Sequence, residues 1–420
     1  MALKTATLKP EGKKALDSLL ERAVDSKNIP AAFFGATNAD EEIYFNCRGD
    51  KVFGRPEEGP VTPDTTLQLF SMTKFVTAIA CWQQVDKGVL SMDDPALIEK
   101  HCPELWQQPI LEGYSETGEA ITKPRQTPLT LRHLLTHTSG LSYSWNAPDV
   151  ERWRKEHSVP EMFAPHTPLS AYVQPLIFEP GTSHRYSIGI DWAGILVTRV
   201  TGKNLEQVFQ ENIFAPCGIK NISFIPTKAI KDRLMAMTTR TPQHTGEVTV
   251  FEGNFFGRSL QEEDYGTLFS GGGGLFGTAR DYLTFLRHVL ASADPATPKP
   301  LISAASFKKL FQDHLDEPPA IREQLAKMAK QQDIHDEALL DGGKGTFIGH
   351  SPGLFINKKG SKYGRKAMSG YWDGAAKTFF WLDPTSGLGA VCCTNIVAHN
   401  PEPWTKVYNE YERTLYDNLV

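Results

Sequence analysis

Strand-like runs stand at the two ends of this 420-residue chain, with a long stretch of helices and loops between them. Near the N-terminus they cover Ala31–Thr37 and 42–47, alternating or wholly apolar as strands are. They return at Leu354–Asn357, 376–382 and 388–394, the last two joined by the turn Asp383-Pro384-Thr385-Ser386-Gly387. Helical patterns flank them: 11–26, with Leu16, Leu19, Leu20, Ala23 and Val24 on one face, and 404–419 at the other end. Strands supplied by both ends must meet in one sheet. The expected fold is therefore α/β (α+β): an antiparallel sheet flanked by N- and C-terminal helices, with a mostly helical region inserted. The predicted boundaries are 1–90 with 270–420 for the sheet domain and 91–269 for the insertion, a cleft lying between them.

Charge narrows the partners. Lys and Arg number 44 against 49 Asp and Glu, a net charge of −5, so nothing drives the whole chain toward nucleic acid or an anionic membrane. No run approaches the ~20 apolar residues that span a bilayer, and the first residues lack a signal-peptide core. The cysteines at 47, 81, 102, 217, 392 and 393 have no metal-type spacing and read as free thiols of a reducing compartment. The expected location is cytoplasmic. The basic cluster Lys358, Lys359, Lys362, Arg365 and Lys366 reads as a solvated hairpin tip. The segment from 314 to 343 reads as a polar surface excursion.

Chemistry first shows at Ser71-Met72-Thr73-Lys74, where a helix is expected to begin. Residues three apart share a helix face, so Ser71 and Lys74 can touch. The first turn offers unpaired N–H groups and the positive end of the helix dipole, which favours an oxyanion and discourages protonation of Lys74. Desolvation would leave the lysine neutral near pH 7 and able to take the serine proton. The same pattern at Ser306-Phe307-Lys308-Lys309 is the control. There it sits in a basic surface stretch, whereas Phe75, Val76, Ala78, Ile79, Trp82 and Val85 bury the helix behind Ser71.

Other segments admit two readings each. Tyr186, in Pro180-Gly181-Thr182-Ser183-His184-Arg185-Tyr186, either presents a phenol to a cleft, its pKa lowered by a cation, or is a packed aromatic. In Ser369-Gly370-Tyr371-Trp372-Asp373-Gly374-Ala375-Ala376, small residues let an edge strand pass close to a ligand, so that the N–H groups of Ala375 and Ser71 form an oxyanion hole. A glycine bulge on a sheet edge is the alternative. His133 and His137 are spaced like a zinc helix, but no glutamate follows the first and no third ligand is evident, so no metal is expected. Gly271-Gly272-Gly273-Gly274 lacks the Gly-Lys-Ser/Thr ending of a phosphate loop and reads as a hinge beside the cleft. No Gly-x-Ser-x-Gly elbow of an α/β-hydrolase occurs.

Together these segments resemble the serine β-lactamase-like (β-lactamase/transpeptidase-like) family, which includes penicillin-binding enzymes, class C β-lactamases, family VIII carboxylesterases and fungal acyltransferases of the lovastatin type. The resemblance rests on Ser71-Met72-Thr73-Lys74, the string from Leu129 to Leu141 (LTLRHLLTHTSGL), Tyr186 with Asp191-Trp192-Ala193-Gly194, and Gly271-Gly272-Gly273-Gly274-Leu275, in the family's order. It implies Ser71 as nucleophile, Lys74 as base, Tyr186 as proton relay, and Ser71 and Ala375 as oxyanion donors, with no cofactor. Two departures bear on substrate. Ile188 stands where β-lactamases carry an amide-holding asparagine, and Trp372-Asp373-Gly374 where they carry a carboxylate-binding Lys-Thr-Gly. Arg365, Lys366 or Lys377 are the residues left to replace that lysine's charge. With Tyr371, Trp145, Tyr143 and Gly374, the site is expected to suit small apolar or aromatic esters. The implied enzyme is a serine carboxylesterase. The alternative is an acyltransferase of secondary metabolism using an acyl thioester donor, with an acyl-carrier partner. A β-lactamase and a non-catalytic scaffold rank below both.

Overall fold

A computed structural model describes residues 3–241, 246–253, 255–315, 318–332, 336–398 and 402–420. The chain opens with helix α1 (Pro10–Asp25) and strands β1 (Ala31–Thr37) and β2 (Glu42–Gly49). Helix α2 (Thr73–Asp86) follows a one-turn 3-10 segment, Phe70–Met72. Later come α3 (Gly189–Thr201), α4 (Ala279–Ala291) and α5 (Pro319–Gln332). The chain then returns to strands: β3 (Ile348–Ser351), β4 (Leu354–Asn357), β5 (Ser369–Gly374), β6 (Thr378–Asp383) and β7 (Leu388–Cys393). Helix α6 (Pro403–Asp417) closes it. The seven strands form one sheet in the order β3-β4-β5-β6-β7-β1-β2, each neighbour antiparallel. N- and C-terminal strands meet where Phe33 pairs with Cys393 and Phe34 with Cys392.

Period-two alternation decides what covers each face. On β6, Phe379 and Trp381 point to α6, where they meet Tyr408, and Trp381 also meets Tyr411. Phe380 between them points to the other side, against Phe75 of α2 and Tyr282 of α4. With both faces covered, β1, β6 and β7 are buried along their whole length. Strand β5 corrects the expectation of an edge strand, because it pairs with β4 on one side and β6 on the other. Ala375 lies in the hairpin turn after it. The basic cluster is not a wholly solvated tip either: Arg365 is 1% exposed and ion-paired with Glu412 of α6 at 3.0 Å. No helix among the described residues is long and apolar enough to cross a membrane.

Candidate active site

The turn carrying Ser71 is held from several sides. Phe70 has a left-handed backbone (φ 45), a conformation that a bulky residue keeps only when its surroundings impose it. Leu69 N–H donates to Leu275 O at 3.0 Å, Leu275 N–H to Thr73 Oγ1 at 3.0 Å, and the Tyr282 hydroxyl to Met72 O at 2.9 Å. On the far side β5 runs against it. A Cβ on Gly374 would lie 2.5 Å from Leu69 O and 2.3 Å from Thr378 Oγ1, so only glycine allows this approach. The approach brings Ala375 beside Ser71, and both line one cavity of about 590 Å³.

Lys74 is buried and reaches three oxygens: Ser71 Oγ at 3.3 Å, the Tyr143 hydroxyl at 3.0 Å and Gly272 O at 2.6 Å. Tyr186 closes the group, its hydroxyl 2.5 Å from Ser71 Oγ. A neutral amine has two hydrogens and one lone pair. Gly272 O can only accept, and the Tyr143 hydroxyl has Asp191 Oδ2 at 3.4 Å to donate to, leaving its oxygen for Lys74. The lone pair then faces the Ser71 hydroxyl. Burial pulls Lys74 down to about 7, against the opposing pull of Asp191 and Asp373. Burial pushes the Tyr186 phenol above its ordinary value instead, although the hydrogen bond with Ser71 works against this. The expected lowering of Tyr186 is therefore corrected. Desolvation, with Asp373 and Asp191 pushing the same way, keeps Tyr186 a neutral hydroxyl.

The sequence reading named Asp191 and the glycine run but gave neither the carboxylate nor the Gly272 backbone a role beside Lys74. Asp191, at the start of α3, accepts from Ser270 Oγ at 2.6 Å and from Gly272 N–H at 3.0 Å. A Cβ on Gly272 would lie 2.4 Å from the Asp191 carboxylate, and Thr77 Oγ1 donates to Gly271 O at 2.7 Å. The glycine run is a pinned wall that supplies a carbonyl to Lys74, which corrects its reading as a hinge. A signal was present in the chain, since a buried acid at a helix start is a ready acceptor for such N–H groups.

The expected substrate contacts divide. Tyr143, Trp145 and Asp373 line the cavity, Tyr143 being also a partner of Lys74. Trp372, Tyr371 and Ile188 do not: they are 1%, 1% and 0% exposed, with Trp372 stacked on Phe355 at 4.8 Å and Tyr371 on Phe355 at 5.5 Å. Gly374 contributes proximity rather than lining. Arg365, paired with Glu412, cannot supply a carboxylate-binding charge, and Asp373 occupies the cavity wall, where Lys377 and Lys74 favour its charged form. The lining also carries an aromatic stack in which Trp145 lies on Tyr143 at 4.3 Å and on Phe256 at 5.3 Å, and Phe256 on Phe163 at 5.6 Å. Helix α5 adds Gln324, Lys327 and Met328 to the lining, so part of the segment from 314 to 343 borders the cavity. Residues 316–317 and 333–335 of that segment lie outside the described residues. His133 turns its Nδ1 to the Thr130 N–H at 3.3 Å, and the short helix Leu131–Leu135 ends before His137, so the two histidines do not share a helix face.

The β-lactamase family domain matches residues 16–408 of this chain. A lovastatin esterase of Penicillium rubens is 31% identical over 387 residues, covering 90% of this chain and 92% of its own. A monacolin J acid methylbutanoyltransferase of Aspergillus terreus is 29% identical, covering 93% and 91%. Among solved structures, a variant of simvastatin synthase from Aspergillus terreus superposes with a TM-score of 0.81 at 27% identity, covering 97% of this chain and 95% of its own.

Proposed function

We propose that this chain, which belongs to the β-lactamase family, transfers acyl groups from carboxylic esters through an acyl-Ser71 intermediate, and that it is in the first place a carboxylesterase. The observation that carries the reading is the convergence of Lys74 Nζ and the Tyr186 hydroxyl on Ser71 Oγ at one end of an aromatic-walled cavity. Ser71 Oγ attacks the ester carbonyl carbon while its proton passes to Lys74 Nζ. The carbonyl oxygen, now negative, accepts N–H bonds from Ser71 and Ala375. Collapse breaks the bond to the leaving group, whose oxygen takes a proton from Tyr186 as Tyr186 takes one from the Lys74 ammonium, so no phenolate forms. Water or an alcohol then repeats the sequence in reverse and frees the acyl group. An acyltransferase with a thioester donor, and with an acyl carrier to deliver it, is the second reading. Its support is the near full-length similarity to the methylbutanoyltransferase.

Substrate choice follows from Ile188 and Asp373. The first leaves a β-lactam amide without a hydrogen-bonding side chain, and the second sets an acid where its carboxylate would lie. Apolar aryl esters meet the aromatic stack instead. Short p-nitrophenyl esters are expected to turn over at least ~100-fold more efficiently than nitrocefin, about 2.7 kcal/mol in transition-state binding. Parallel kcat/KM measurements on the two substrates check this, and equal or faster nitrocefin hydrolysis would overturn the substrate assignment while leaving the serine chemistry in place.

Asp373 also bears on pH. Burial pushes its carboxyl up to about 6, against the pull of Lys377 and Lys74, and its charge in turn favours the protonated form of Lys74. Activity requires neutral Lys74, so it rises as pH climbs through about 7. Removing the Asp373 charge lowers the lysine further, and Asp373→Asn is expected to move that rising limb to lower pH. A kcat–pH profile reads the result, and an unmoved or upward-moved limb contradicts the coupling.

A further inference from the structure

His137 is bound to both residues that flank Tyr186. Its backbone oxygen accepts the Arg185 N–H at 2.9 Å, and its ring Nδ1 accepts the Ser187 N–H at 3.3 Å. Its ring also lies against that of Tyr186, with centroids 5.0 Å apart. A backbone N–H can only donate, so Nδ1 is unprotonated and the ring proton is on Nε2. Burial keeps the imidazole neutral, with His350, His184 and Lys74 pushing the same way. The residue has a left-handed backbone (φ 57), which turns its carbonyl and side chain toward one segment. It is fully buried and does not line the cavity, so substrate does not reach it.

The geometry points to His137 as a positioning residue that fixes Tyr186 against Ser71 by clamping the N–H groups on either side of it. This rests on the proposed role of Tyr186 in proton transfer. The Tyr186 hydroxyl can stay 2.5 Å from Ser71 Oγ only while the short irregular segment carrying it is held. The Ser187 hydroxyl steadies the ring side of the clamp, lying 3.2 Å from Nδ1 while it accepts Gly189 N–H at 3.1 Å. Loss of the acceptor at Nδ1 frees one side of Tyr186. The cost falls on the chemical step and not on substrate binding, because His137 is outside the cavity.

Three variants test this. Asparagine places Oδ1 close to where Nδ1 sits and tolerates a left-handed backbone. Glycine tolerates the backbone but offers no acceptor, and phenylalanine keeps a ring without one. His137→Asn is expected to retain kcat within about 3-fold of the parent, while His137→Gly and His137→Phe lose about 30-fold or more with KM within about 3-fold. If the ring serves only as packing, phenylalanine equals or exceeds asparagine, and that order overturns the clamp. So does an equal loss in all three, or no loss in any. Should His137→Phe fail to fold, the contrast between asparagine and glycine decides alone. A parent protein that leaves Ser71 unlabelled by an aryl phosphonate would sink the reading beneath the clamp as well. A labelled, active parent with the wrong order of variants sinks the clamp only.

Discussion

Ser71→Ala is expected to lower kcat for an activated aryl ester by about 10⁴-fold or more, with little change in melting temperature. The fold asks little of this hydroxyl, whose side-chain partners are Tyr186 and Lys74, while the proposed covalent intermediate depends on it entirely. The residual rate would come from the oxyanion donors and from binding alone. Steady-state kinetics gives the loss, and mass spectrometry of the parent after a brief ester pulse should find the acyl mass on the Ser71 peptide. Turnover by the alanine variant at the parent rate would remove the acyl-enzyme mechanism. It would leave the family membership intact and move the ester chemistry to a group other than Ser71.

Lys74→Arg should cost about 10³-fold or more, and the remaining activity should no longer rise near neutral pH. Guanidinium does not deprotonate in this range, so it can neither take the Ser71 proton nor return one to Tyr186. In the parent, burial sets Lys74 at about 7, so the fraction of neutral amine grows through the physiological range and activity grows with it. The rate–pH profile belongs to the coupled group of Lys74, Asp373 and Asp191, so its midpoint reports the group. Substantial activity in the arginine variant would rule out the lysine as base.

What was legible in the chain was local. Ser71 and Lys74 touch because three residues of helix bring them together, and the apolar residues that follow announce that the helix is buried. The meeting of the two ends in one sheet was readable because strands alternate and a sheet needs partners. What was hidden depends on the backbone or on distant partners. The Gly272 carbonyl has no side chain to mark it, and the Asp191 carboxylate meets that segment from another helix. Trp372 and Tyr371 read as cleft aromatics beside Asp373 because glycines surround them. The pairing of β5 on both sides buries both rings, and no spacing in the sequence reveals that. The left-handed backbones of Phe70 and His137 are invisible for a similar reason, since neither residue type advertises it.

The junction of β1 with β7 has a consequence for biogenesis. A nascent chain that has displayed Ser71, Lys74 and Tyr186 outside the ribosome still lacks the strand that β1 must pair with, because Phe33 waits for Cys393. It also lacks Gly374 and Ala375, which complete the wall beside Ser71. Closing a loop that spans nearly the whole polypeptide is entropically costly and comes late. Until then β1, wholly apolar apart from its terminal threonine, is paired only with β2, and its other edge stays open to aggregation. Synthesis to almost the last helix is therefore a condition for assembling the proposed nucleophile's surroundings, and a half-made chain lacks them by its own topology.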